Sequence, residues 1–260
     1  MSENPGPSIG LEWISIAALL GLVTWGVLAW SWSATATPRI GYSAAVVSAG
    51  EVAPIAPDPA GLAQARASPA VAASAPRVAR VDPHWLKRVG AATGIPSRAL
   101  AAYAGAALAL TEEKPQCHLG WNTLAAIGHI ESDDGRHGGA VLSDNGYSSM
   151  PIIGPKLDGG AFAGIHDSDG GVWDGDTVWD HAVGPFQFIP RTWRTWGADG
   201  NGDGQADPNQ MDDAALTAAR YLCHAGDLST GDGWRRAVLS YNHSDSYVND
   251  VAKVANSYHS

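Results

Sequence analysis

The sequence predicts a mainly α-helical domain over residues 81–260, with at most a small β element in a loop-rich insert. Three observations carry this. Apolar residues recur at three- and four-residue spacing in seven segments after residue 81. Between them, residues 133 to about 183 form a Gly/Asp-rich stretch with only short apolar runs, such as Ile152-Ile153 and Val172-Trp173. The acidic residues are lopsided, 20 Asp against 6 Glu, and Asp favours loops, caps and cation sites over helix interiors.

In chain order, residues 1–12 form a short N-terminus. Residues 13–32 read WISIAALLGLVTWGVLAWSW without a charge, about 30 Å of helix, which suits one transmembrane span. Trp13, Trp30 and Trp32 fit interfacial belts. The alternative is a cleaved signal peptide ending near Ala34-Thr35-Ala36, against which stand an n-region without Lys or Arg and a long apolar core. Residues 33–80 are rich in Ala, Pro, Ser and Val without period, and too little apolar area is available to offset ordering entropy. They read as a disordered stalk, or else as a removed pro-segment. Helices are then expected over 84–92 behind Asp82-Pro83, over 97–110 with Ser97 as cap, and from about Trp121. They resume over 190–196, 213–225, 234–241 and 246–258.

The net charge of -10 excludes the basic footprint that phosphate-backbone binding needs, so no nucleic-acid partner is expected. Cys117 and Cys223 are the only cysteines. Beyond an anchor and a stalk, a disulfide between them is the expected state. Reduced buried thiols in a cytoplasmic domain are the alternative.

Past residue 113 the chain has 18 Asp and one Glu, Glu131. Positions 121, 124, 127, 128 and 131 share a helical face, so Glu131 continues an apolar stripe in the last turn before Gly135. Burial and the carbonyl end of the helix both disfavour its ionised form. A carboxylic acid protonated near neutrality can protonate a glycosidic oxygen; a solvated helix-end glutamate is the plain alternative. Gln187 lies between Phe186 and Phe188 just ahead of Pro190 and Trp193, and Tyr241-Asn242 closes a later helix. Amides beside aromatics suit a polymeric sugar, although core packing accounts for any one of these rings.

Together these residues resemble a family. Ala126-Ile-Gly-His-Ile-Glu131-Ser132, the Gly/Asp-rich insert, Ala182-Val-Gly-Pro-Phe-Gln187-Phe188-Ile-Pro190-x-x-Trp193, an Asp/Gly loop, Tyr221-Leu-Cys223 and Tyr241-Asn242 are similar to lytic murein transglycosylases of the membrane-bound B type, in their actinobacterial branch. The resemblance covers residues 81–260. It implies a lysozyme-like helical domain that cuts the MurNAc-β-1,4-GlcNAc bond of peptidoglycan glycan strands with formation of 1,6-anhydro-MurNAc. By analogy Glu131 is the sole acid/base, Ser132, Gln187 and Phe188 line the sugar site, and Tyr241 and Asn242 close the groove. The Glu-Ser pair departs from the Glu-Thr pair of better-known members. Behind the apolar span 13–32, which the resemblance leaves out, such a domain makes the expected protein a single-pass bacterial membrane protein with its catalytic domain on the extracytoplasmic side.

Two rivals stay open. A hydrolase would need a second carboxylate, for which Asp144, Asp176 and Asp180 are candidates. A scaffold would hold glycan without cutting it.

The loop 199–213 has an EF-hand-like order of oxygen ligands: Asp199, Asn201, Asp203, Gln205 by its carbonyl, and Asp207, with Gly204 at the turn. Gln210 stands where a bidentate carboxylate belongs, so a lengthened loop ending at Asp213 is expected, with Asp212 in reserve. A structural Ca2+ is the expected occupant and an ion-free acidic turn the alternative. The run Asp167 to Asp176 reads as a solvated groove rim, or as a second cation loop. None of the nine histidines forms a His-x-x-x-His zinc pair.

Overall fold

The computed structural model describes residues 81–160 and 162–258. Residues 1–80 lie outside it, and with them the expected span 13–32 and stalk 33–80. Among the described residues no helix is long and apolar enough to cross a membrane.

Seven α-helices and one two-stranded antiparallel hairpin make up the described chain: α1 Pro83–Thr93, α2 Ser97–Glu113, α3 Trp121–Ser132, β1 Ile153–Lys156, β2 His181–Val183, α4 Pro190–Trp196, α5 Met211–Cys223, α6 Gly231–Tyr241 and α7 Asp245–Ser257. Asp82 caps α1 by accepting from His84 N at 2.8 Å, with Pro83 in the first turn. Ser97, expected as a cap, is instead the first residue of α2, and Pro96 in the cap position offers no side-chain acceptor. The α5 helix starts two residues ahead of the expected Asp213. The side-chain oxygen of Gln210 accepts from Asp212 N and Asp213 N and so adds the first turn.

The Trp121 stripe understated α3. Residues 121–128 are buried all round, Asn122 and Thr123 included. The helix packs between α2 and α7, and α2 also packs against α5. Thr123 Oγ1 accepts from Trp234 Nε1 at 3.0 Å, so its polar side has a partner in α6. Gly128 permits the closest of these contacts: a Cβ there would stand 2.3 Å from the Tyr103 hydroxyl, which donates to Asp134 Oδ1 at 3.0 Å. A central buried helix thus delivers Glu131 with little freedom to move.

The expected disulfide is present. Cys117, in a 3-10 turn, joins Cys223 at the end of α5 across 106 residues.

Between α3 and α4 the insert is held by aspartates more than by strands. Asp167 Oδ1 accepts from the amides of Asp169, Gly170 and Gly171. Asp174 accepts from Asp176 and His181, and Asp176 from Val178 and Trp179. The short Asp side chain reaches an amide two residues on, which Glu does less well, and this accounts for the Asp bias.

Candidate active site

Glu131 lies in the last turn of α3, buried at 9% exposure. Tyr247, in the first turns of α7, donates its hydroxyl to Glu131 Oε1 at 2.6 Å. Burial pushes the carboxyl up to about 7, and the Tyr247 hydrogen bond, which favours the ionised form, holds that rise in check. The Glu131 charge in turn raises the buried hydroxyls of Tyr241 and Tyr247, after burial itself.

Four other buried carboxylates are committed elsewhere. Asp134 takes Tyr103 and Arg136. Asp180 accepts from the amide and hydroxyl of Ser168. Asp212 pairs bidentately with Arg98, and Asp213 accepts loop amides. Only burial and Tyr247 perturb Glu131. Among the described residues no second carboxylate is coupled to it.

A tight turn, Gly184 to Gln187, faces this helix end. It is closed by reciprocal amide bonds between Val183 and Phe188 at 2.9 and 3.0 Å. Three side chains fix it. Ser132 Oγ donates to Pro185 O at 2.7 Å and accepts from Gly135 N, Tyr241 Oη donates to Phe186 O at 2.6 Å, and Gln187 Nε2 donates to Gly184 O at 2.9 Å. Gln187 itself sits at φ 49, a left-handed conformation unusual outside glycine, half-buried at the turn end.

Ser132, Gln187, Phe188 and Tyr241 thus meet at the turn beside the end of α3, whereas the bonds of Asn242 stay within its own chain segment. Ser132 differs from expectation: it has no exposed surface, its hydroxyl is spent on backbone, and it fastens the turn instead of facing a sugar. Phe188 is also interior, its ring against Trp193 and Tyr241. Gln187, Tyr241 and Asn242 keep partly open surface. Tyr247 was not foreseen. Only its apolar-stripe position in 246–258 was readable, and the bond to Glu131 spans 116 residues.

The loop 199–213 supports the same turn. Gly184 has φ 74, and a Cβ on it would lie 1.9 Å from Pro208 O. Within the loop, Asp199 accepts from Gly202 N and Gly204 N. Asp213 turns inward to accept from Gly200, Asn201 and Asp207 amides, and burial, with Asp199 nearby, lifts its carboxyl to about 6. Asp212 points away to Arg98, which leaves Asp213 as the carboxylate that closes the loop. The donors named are all oxygens, which suits a hard divalent cation, but among the described residues no three of the carboxylates at 199, 203, 207 and 213 converge to ligand distance of one another.

Comparison with known proteins gives one family match. Residues 174–239 match the model of the transglycosylase SLT domain. That span includes the Gly184 turn, the loop 199–213 and Cys223, and leaves Glu131, Tyr241 and Tyr247 outside. The match takes in 66 of the 260 residues, and over that stretch the chain is similar to a transglycosylase domain. No curated protein sequence matches it. Among solved structures, the crystal structure of SltB3 from Pseudomonas aeruginosa in complex with NAG-anhNAM-pentapeptide aligns with 81% of this chain and 73% of its own. The identity is 20% and the TM-score 0.37. So loose a superposition adds nothing to the fold or site described above.

Proposed function

We propose that the chain cleaves the MurNAc-β-1,4-GlcNAc bond of peptidoglycan by a non-hydrolytic route, with Glu131 as both acid and base. The supporting observation is a single buried carboxyl raised to about 7, with no second carboxylate acting on it. In its protonated form Glu131 gives a proton to the bridging oxygen as the bond to C1 breaks. The substrate's own acetamide steadies the cationic C1. The resulting carboxylate then takes the proton of the muramic 6-hydroxyl as O6 bonds to C1. Glu131 ends as it began, and no water is consumed. A group poised near 7 can serve in both directions, because neither form is costly at neutral pH. Tyr247 holds the carboxyl in one orientation, and Ser132 and Tyr241 fix the turn that carries Gln187.

The same reading assigns a Ca2+ to the loop 199–213, with Asp199, Asn201, Asp203, Gln205, Asp207 and Asp213 as ligands. The ion would draw the loop carboxylates together, offset their charge and stiffen the support under Gly184. The extracytoplasmic placement of the domain, tethered by 13–32 and 33–80, is supported by the disulfide, which belongs to an oxidising compartment.

Product analysis tests the reaction. The full chain in detergent, incubated with isolated sacculi, is expected to release muropeptides ending in 1,6-anhydro-MurNAc, and Glu131→Gln none. Reducing-end muropeptides would establish a lysozyme-type hydrolase, and binding without release a scaffold.

A further inference from the structure

Beside the catalytic turn, a groove of about 370 Å³ opens between the insert and the loop 199–213. Met150, Pro151, Ile152 and Trp173 supply apolar wall, and Met150 is 46% exposed at the mouth. Its charged lining is Asp174 and Asp207, with no Lys, Arg or His among the lining residues. Both carboxylates are already fixed in place. Asp174 accepts from the amides of Asp176 and His181 at 2.9 and 2.8 Å, and Asp207 from Asn209 N and the Tyr147 hydroxyl. Each keeps lone pairs to spare, since an ionised carboxylate has about four acceptor positions.

Pro185 connects this groove to the catalytic centre: it lines the groove while its carbonyl is held by Ser132, the neighbour of Glu131. In a peptidoglycan strand, the longest substituent of the muramic ring, two ring carbons from the cleaved C1, is the peptide arm on the lactyl group. That arm carries carboxylates and aliphatic amines. An apolar trough with Asp174, which the proposed ion does not use, and with no basic side chain in its lining repels the former and complements the latter.

We propose that this groove receives the peptide arm of the bound strand by taking up an aliphatic side chain that ends in a primary ammonium. The proposal rests on the peptidoglycan reading above and names a specificity site within it. Asp174 is the specificity residue. Asp207 is shared with the loop 199–213, so Asp174 alone separates the two roles.

Calorimetric binding to the full chain carrying Glu131→Gln tests this without relying on catalysis. The probes are a disaccharide-peptide with a free side-chain amine, the same compound N-acetylated, and peptide-free disaccharide strands. Acetylation is expected to weaken binding by about two- to fivefold, the scale of a partly exposed charge pair. Asp174→Asn, added to the same background, should erase the difference and leave peptide-free strands unaffected. Met150→Lys, at an exposed position, should weaken the amine-bearing probe alone. Equal affinity for the free and acetylated probes would overturn the proposal, as would an Asp174→Asn loss common to all three probes. Amine selectivity in a wild-type chain that releases no anhydro product would uphold this site and count against the cleavage reading only.

Discussion

Tyr247 and Glu131 are 116 residues apart in sequence and joined by a 2.6 Å hydrogen bond in the interior. The bond is a compromise. Burial drives Glu131 towards its neutral form, and the donated hydroxyl hydrogen favours the charged one. Removing the donor with Tyr247→Phe should therefore raise the Glu131 carboxyl further. The expected result is an alkaline limb of the pH–kcat/KM profile displaced upward by about half a unit to one unit, the range of one neutral hydrogen bond. An unmoved limb would mean that the bond does not persist in solution.

The raised carboxyl also has a stability consequence. Its folded-state value, about 7, lies above the ordinary 4.5, so the native state binds the extra proton between those values and stability falls as pH rises through that window. The full penalty is present above about pH 7 and absent below about 4.5. Glu131→Gln removes it. In denaturant unfolding, the variant should gain on wild type by roughly 3 kcal/mol between pH 4.5 and pH 8. Asp213 titrates in both chains and cancels. A pH-independent difference between the two would contradict the assignment.

Much of this site was legible in the sequence, and the reasons differ by residue. Glu131 was readable because one carboxylate replaced an apolar residue in a helical stripe, and the helix that carries it proved buried on every side. The Cys117–Cys223 pair and most helix spans followed from composition and periodicity. The Ser132 hydroxyl was not readable, because its partner is a backbone carbonyl 53 residues on and no residue type signals a carbonyl. Tyr247 was hidden for a similar reason: periodicity shows that a helix has a buried face, but not what that face touches. Gln210 was readable as a residue that cannot close the loop, but its capping of α5 was not, because its partners are backbone amides.

Gly184 offers a test of the support beneath the site. Gly184→Ala would force a Cβ against Pro208 O, at 1.9 Å, in a backbone conformation with φ 74. The expected cost is about 2–4 kcal/mol of stability, together with a kcat loss larger than the change in KM, since the turn carries Gln187. A variant of wild-type stability would show that the loop and the turn are not packed as described.

For the loop itself, added Ca2+ should raise Tm and chelation should lower it. Asp213→Asn should abolish the increment, because it removes charge from the carboxylate that closes the loop. Calorimetric titration with Ca2+ checks this directly, and no heat and no Tm change would leave the loop as an ion-free acidic turn.

Reduction of Cys117–Cys223 frees a 106-residue loop. Replacing both cysteines with serine should cost up to about 4–5 kcal/mol in the chain-entropy view. Urea unfolding of the double variant measures it, and a cost near zero would mean that the α5 contacts alone hold the region.

The most direct test of the central claim is titration of Glu131 itself, by 13C NMR of glutamate side-chain carboxyls with Glu131→Gln to identify the resonance. A midpoint near 7 is expected, falling towards the ordinary value only if the site opens to water. A midpoint near 4.5 in the folded chain would contradict a buried proton donor, and with it the one-carboxylate mechanism.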